Sequence, residues 1–375
     1  MILRELVGEP RLEVAAMGDV GAIGRARARA RRDGFDVLFA ACAPRLRAAD
    51  LSFANLEFPI GEPSWVRAGR AAEFHHDAGI AAALVTAGVR VVSLANNHMM
   101  DCGERGLSHT LEICAAQGLA TVGAGMTLDQ ACRPAQFERR GRKVVVLAYA
   151  TAADDAAGEA GPGIAPLEPA RLAQDLAHWR PLADDLIVSV HWGSMYVDYP
   201  PPRVLEIAAQ LESLGADLVM GHHPHVTQGF RFKQRTLTLF SLGDIVFDAA
   251  AGDFEAAVAS EARRDTGVFT VTLAREPGLE IDPCVLDPDG VPTPADASRA
   301  AAAVARLERL HQGLDRAADR FLSESAPTLL RYEIESLGAY LRSGRLDRAL
   351  KLLLAVRPRH LPLIWNALKR GGGRP

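Results

Sequence analysis

Eight short apolar runs rich in β-branched residues recur along the first three quarters of the chain: LEVAAM (12–17), LSFANL (51–56), VRVVSLAN (89–96), RKVVVLAYA (142–150), DLIVSVHW (185–192), DLVMGHH (217–223), TLTLFSLGD (236–244) and GVFTVTL (267–273). Runs this apolar on both alternating faces predict strands buried on both sides, which is the pattern of α/β proteins. Between them lie amphipathic stretches, 104–117 and 202–214, that predict helices. The alternation predicts a mixed sheet, or two stacked sheets flanked by helices. A Pro-, Asp- and Gly-rich stretch at 286–298 predicts a boundary, so a catalytic domain is expected over 1–290 and a helical C-terminal extension over 299–370. Within 299–322, Val304, Leu307, Leu310, Leu314 and Phe321 recur at three-, four- and seven-residue spacings and share one helical face. A second helix is expected at 328–342. The extension is expected to pack on the catalytic domain or to form a homodimer contact. Its last segment mixes Arg357, Arg359, Lys369 and Arg370 with Leu361, Leu363, Ile364 and Trp365, as membrane-surface helices do, but Pro362 interrupts it.

Composition narrows the partners. Of 375 residues, 49% are apolar and 23% charged, with a net charge of −4. That is the make-up of a folded globular protein without the overall basic field that attracts nucleic acid. Any anionic substrate, small or polymeric, must be gripped locally. The opening MILRELVGEP carries charges from the fourth residue and offers neither a signal-peptide core nor an integral membrane segment, so a cytoplasmic location is expected. The five cysteines (Cys42, Cys102, Cys114, Cys132 and Cys284) contain no C-x-x-C pair, which argues against a disulfide framework or a thiolate zinc site.

The polar residues that interrupt the apolar runs do so at one recurrent place. Asp19 follows LEVAAMG, Glu57 follows LSFANL, Asn97 and His98 follow VVSLAN, His191 follows LIVSV, His223 and His225 follow DLVMGH, and Asp244 follows LFSLG. Each stands at the carboxyl end of a predicted strand, the edge where open α/β sheets collect their ligands. Any one of these residues could be a satisfied structural group; their agreement is hard to attribute to packing. Imidazole and carboxylate donors without thiolates suit zinc, manganese or iron. Glu57 could bridge two ions, and the single residue between His223 and His225 lets each serve a different one. His222 is expected to pack or to support a ligand. Asp101 follows His98 by three residues and could fix its tautomer, making His98 a general acid or a stabiliser of developing charge. Alternatively, Asp101 caps the helix that begins near Glu104.

These residues lie in stretches that resemble the CapA family of bacterial capsule and poly-γ-glutamate synthesis proteins, a branch of the calcineurin-like metallophosphoesterases. The stretches are MGDV (17–20), ADLSFANLEFPI (49–60), VSLANNHMMDCGERGLSHTL (92–111), VGAGMTLDQA (122–131), VSVHWG (188–193), GADLVMGHHPHVTQG (215–229) and LFSLGDIVFD (239–248). The resemblance implies a four-layer α/β/β/α metallophosphoesterase-like sandwich with two divalent metal ions, Mn, Zn or Fe. It implies Asp19 and His225 on the first ion, Glu57 as the bridge, and Asn97, His191 and His223 on the second. The chain departs from the pattern twice: Val20 and Gly21 stand where metallophosphoesterases continue D-x-H, and SLGD replaces the family's SLGN. The membrane anchor common among capsule-synthesis members is not found either.

The expected function is hydrolysis or group transfer at a phosphoester, acyl or amide bond, in capsule synthesis or a related soluble pathway. One alternative is a non-hydrolytic capsule-polymer assembly protein that keeps the metals for shape or for gripping polymer carboxylates. Another is an amide-forming or amide-cleaving biosynthetic enzyme.

Overall fold

The eight apolar runs all form strands, but they are divided between two sheets. The computed structural model describes residues 1–151, 155–159, 161–248 and 263–325. A nine-stranded sheet is centred on Leu12–Gly21. On one side of this strand run Leu51–Leu56, Val91–Ser93 and Ala120–Val122, all parallel. On its other side Asp265–Leu273 pairs antiparallel with residues 12–16, and Asp244–Phe247 pairs parallel with residues 19–21. A six-stranded sheet holds Arg142–Ala150, Asp185–His191, Leu218–His222 and Thr236–Leu239 in parallel, with Ala135–Arg139 and Phe230–Lys233 antiparallel at its edges.

Strand periodicity shows how the layers stack. In Arg142–Ala150, Val144, Val146, Ala148 and Ala150 join the same apolar core as Leu12, Val14 and Phe53 of the other sheet. The intervening Val145, Leu147 and Tyr149 join a second core with Leu172 and Leu176 of the helix Pro169–Trp179 and Val204, Ile207 and Leu211 of Pro202–Ser213. One face of the six-stranded sheet therefore packs on the nine-stranded sheet and the other on helices. Helices Gly24–Asp33, Gly79–Ala87 and Gly103–Ala116 bury Ala26, Ala30, Ile80, Leu84, Leu107 and Cys114 in the first core. The result is the expected order of helix, sheet, sheet and helix layers.

Two expectations change in detail. TLTLFSLGD is not one strand: Thr236–Leu239 belongs to the six-stranded sheet and Asp244–Phe247 to the other, so the chain crosses between layers at Phe240–Gly243. The stretch 286–298 contains an edge strand, Pro292–Pro294, paired antiparallel with Gly278–Leu286. The following helix, Ala297–Gln312, is capped by Asp296, whose side chain accepts from the Arg299 N–H. It buries Val304, Leu307 and Leu310, and Leu314 and Phe321 beyond it are also buried. Helix 328–342, the basic apolar end, and with them much of the expected homodimer surface, lie outside the described residues. All five cysteines are buried and free. Among the described residues no helix is long and apolar enough to cross a membrane.

Candidate metal centre

Because Leu12–Gly21, Leu51–Leu56, Val91–Ser93 and Asp244–Phe247 are mutually parallel, as are Asp185–His191 and Leu218–His222, parallel neighbours finish at the same edge. Asp19 lies near the end of its strand, Glu57 directly follows Leu56, and Asn97 follows Val91–Ser93 after a short turn. His191 and His222 end neighbouring strands and are paired in register. The register also sets Asp19 beside Asn55 on one side and Asp244 on the other. Asp244 therefore reaches the centre by starting a strand, not by ending one.

Two groups of buried side chains bring their donor atoms within 4.8 Å of one another: Asp19, Glu57 and His191, and Asp19, His225 and Asp244. In the first, His191 Nε2 stands 2.7 Å from Asn97 Oδ1 and 3.7 Å from Glu57 Oε1. In the second, His225 Nδ1 lies 2.7 Å from Asp244 Oδ1 and 3.7 Å from Asp19 Oδ2. The His223 ring sits between them, its centroid 4.8 Å from that of His191 and 5.9 Å from that of His225. The six residues expected as ligands thus lie in one cluster. His223 (φ 95°) and His225 (φ 55°) both adopt left-handed backbone, which costs a non-glycine residue free energy and persists only where surroundings impose it. The Asp19 carboxylate helps to impose it by accepting the His223 N–H at 3.1 Å.

The charge distribution is unusual for an interior. Burial opposes ionisation of Asp19, yet the hydrogen bond from His222 and the surrounding imidazoles hold its carboxyl well below the usual range. Burial, followed by the charges of Asp19 and Asp244, pushes Glu57 well above it. Burial also raises Asp244, opposed by His225. Burial and the neighbouring imidazoles drive His191 well down and His223 to about 3, so both rings are neutral at pH 7 and carry a free lone pair. Glu57 Oε1, His191 Nδ1 and His223 Nδ1 are buried with no hydrogen-bond partner. Three crowded carboxyls, neutral imidazoles and orphaned donor atoms fit divalent cations, whose charge would reverse the repulsion among the acids.

His98 and Asp101 stand apart from this set. His98 Nδ1 meets Asp101 Oδ2 at 2.7 Å, and Arg70 Nε approaches Asp101 Oδ1 at 2.8 Å in an ion pair without hydrogen-bond geometry. The alternative role for Asp101 is not realised: the helix Gly103–Ala116 starts at Cys102 with no side-chain cap. The His98 ring is held by Phe58 and Phe74, each with its centroid 4.9 Å away.

Several neighbours escaped sequence reasoning. Asn55 donates to Asp19 Oδ1 (2.9 Å) and Glu57 Oε2 (2.5 Å); its two-residue spacing from Glu57, which puts both on one strand face, was the available sign. His222, by contrast, was expected to pack or to support a ligand, and its Nδ1 is 3.0 Å from Asp19 Oδ1. Asn96 fixes the turn that presents Asn97 and His98, accepting from the His98 and Met99 N–H groups and donating to Leu56 O. Gly21 explains the missing D-x-H histidine in steric terms, because a Cβ there would lie 2.5 Å from the Phe247 ring and 3.0 Å from that of Phe58. Arg263 is buried beside Asp244, its Nη2 3.7 Å from Asp244 Oδ2.

Comparison with known proteins agrees with the sequence motifs. PGA biosynthesis protein CapA of Bacillus subtilis (strain 168) is 30% identical over 219 residues, 57% of this chain and 58% of that protein. Capsule biosynthesis protein CapA of Bacillus anthracis is 29% identical over 247 residues, 64% of this chain and 60% of that protein. The chain thus matches about three fifths of the length of these relatives. A putative 5'-nucleotidase structure from Staphylococcus aureus covers 79% of this chain and 58% of its own, at 16% identity and a TM-score of 0.46, too distant to bear on activity. The family model for bacterial capsule synthesis protein PGA_cap matches residues 13–249, and the chain belongs to that family.

Proposed function

We propose that the chain is a metal-dependent enzyme that hydrolyses or transfers a group at a phosphoester, acyl or amide bond of an anionic substrate. Asp19, His225 and Asp244 would hold one divalent cation and Asn97, His191 and His223 a second, with Glu57 shared between them as the family pattern implies. The observation that carries this reading is the buried trio Asp19, Glu57 and Asp244 beside neutral imidazoles, an arrangement whose mutual repulsion divalent cations would relieve. When bound, such cations supply Lewis acidity toward the scissile group. The protein's own contribution is a positioned proton: Asp101 holds His98 through Nδ1, which leaves Nε2 to serve a leaving group, and two phenyl rings fix the imidazole plane. The names of the relatives suggest a capsule polymer or its precursor as substrate.

A second reading, polymer binding without turnover, is favoured by the missing histidine at Gly21, which leaves the first ion one imidazole short. Two experiments decide. Elemental analysis should find about two Mn²⁺ equivalents in the loaded wild type and a stoichiometric loss in Glu57→Ala and His191→Ala. Full retention in both variants, or no uptake by the wild type, refutes the metal centre. Turnover of bis-p-nitrophenyl phosphate with added Mn²⁺ supports catalysis at a phosphoester over binding alone.

A further inference from the structure

Arg263 is 3% exposed, and among the described residues none of its three guanidinium nitrogens has a hydrogen-bond partner. A buried guanidinium carries five N–H donors and a permanent charge, and leaving all of them unused is costly. Among the described residues its carboxylate partner is Asp244, whose Oδ2 is 3.7 Å from Nη2, beyond hydrogen-bond distance. Asp244 is in any case engaged through Oδ1 with His225. What holds Arg263 is an aromatic face: its Cζ lies 4.2 Å from the centroid of the Tyr196 ring, and Tyr196 itself adopts left-handed backbone (φ 62°) beside His225. A guanidinium stacked in this way has its in-plane edges buried and unpaired, and those edges are the ones that pair with planar or tetrahedral oxyanions. The unused fork therefore stands next to the Asp19, His225 and Asp244 group, whose own charge would repel an anion unless something cationic received it.

We infer that Arg263 is the anion-recognition residue of this centre, pairing its free N–H edge with an oxyanion of the substrate, phosphoryl or carboxylate. The inference rests on the reading of the site as a metal-dependent centre. It adds a residue outside the matched family segment of 13–249, and no motif in the sequence marks it. The competing role is a structural counter-charge for Asp244, and the two differ in sign. A counter-charge holds the acidic cluster together, so its loss should weaken both fold and metal binding. An anion receptor repels cations, so its loss should leave Mn²⁺ affinity unchanged or improve it.

The test uses the full chain, wild type and Arg263→Gln, both EDTA-treated and Mn²⁺-loaded, titrated calorimetrically with inorganic phosphate and, separately, with glutarate. Losing a charge-assisted, two-pronged contact should weaken one of these anions roughly 10- to 100-fold. The loss should appear in both metal states, with Mn²⁺ binding and melting temperature preserved. Arg263→Lys keeps the charge without the fork and should recover only part. Phosphate and glutarate distinguish a phosphoryl substrate from a carboxylate one. Unchanged anion affinity in Arg263→Gln, wild type that binds neither anion in either state, or parallel loss of Mn²⁺ and stability overturns the inference. If Arg263→Gln does not fold, Arg263→Lys is read instead: weaker anion binding with intact Mn²⁺ affinity supports the role, and unchanged anion affinity refutes it. Wild type that takes up no Mn²⁺ would defeat the metal reading alone, since the metal-free titration still reports on Arg263.

Discussion

His76 is wholly buried and clamps the two segments that leave Asp19 and Glu57. Its Nδ1 donates to Phe58 O at 2.9 Å, which fixes Nε2 as the acceptor of the Ala22 N–H at 3.1 Å. Protonation would destroy that acceptor. Burial, reinforced by Arg27 nearby, holds the His76 pKa at about 3, against 6.5 for an ordinary histidine. Between those values the unfolded chain binds a proton that the folded chain refuses. The stability contributed by neutral His76 is thus complete above pH 6.5 and is lost progressively as pH falls toward about 3. At about 1.4 kcal/mol per pH unit for one proton, the loss on going from pH 6.5 to about pH 5 is about 2 kcal/mol. His191 and His223 titrate in the same sense, so the measurement must be a difference. His76→Gln keeps an acceptor for Ala22 but cannot take up the proton. It leaves Phe58 O without its donor, which costs about 1–3 kcal/mol at neutral pH. Urea unfolding followed by tryptophan fluorescence in EDTA should show wild type more stable at pH 7, with the gap closing by about 2 kcal/mol near pH 5. Parallel pH profiles for the two proteins would refute the reasoning.

Replacing His98 by Ala should lower turnover by about 10²–10⁴-fold on a substrate with a poor leaving group and much less on one with a good leaving group, with metal content unchanged. Equal losses on both substrates, or metal lost in parallel, would mean that His98 is a ligand or a packing residue. Gly18→Ala should be far more disruptive than its size suggests. The added Cβ would lie 1.9 Å from Gly243 O, the carbonyl that accepts the Asp19 N–H, so the Gly243–Asp244 segment must move away from Asp19. Overpacking of this kind costs about 1–3 kcal/mol or more, and reduced Mn²⁺ affinity with a lower melting temperature should follow. A variant as stable and as metal-competent as wild type would show that this backbone contact does not set the centre.

Much of the cluster was legible because buried parallel strands announce themselves as unbroken apolar runs, and a polar residue where such a run stops has few structural reasons to be there. Asp19, Glu57, His191 and His223 are visible on that ground alone. Register was not legible. Nothing in LFSLGDIVF says that Asp244 opens a strand lying beside Asp19, because the crossover from one sheet to the other is a tertiary event. That crossover is what lets Asp244 converge with Asp19 and His225. Gly278–Leu286 went unrecognised as a strand because Asp282 and Pro283 interrupt its apolar pattern, and its pairing with Asp265–Leu273 supplies what the pattern lacks. Arg263 was invisible for a different reason. One of two adjacent arginines on the approach to a strand looks like a solvated surface charge until burial is known.

The proposed ligands are divided by layer. Asp19, Glu57, Asn97 and Asp244 lie on or just after strands of the nine-stranded sheet, and His191, His223 and His225 on or just after strands of the six-stranded one. A chain in which only one sheet has formed offers either acids and an amide or imidazoles, and neither half resembles a complete site. High-affinity cation capture must then wait until the layers have docked, and the bound ions would act as rivets between them. Metal uptake during refolding would accordingly serve as a clock for the last step of assembly, and a chelator would act on the seam between the layers before it affected either sheet.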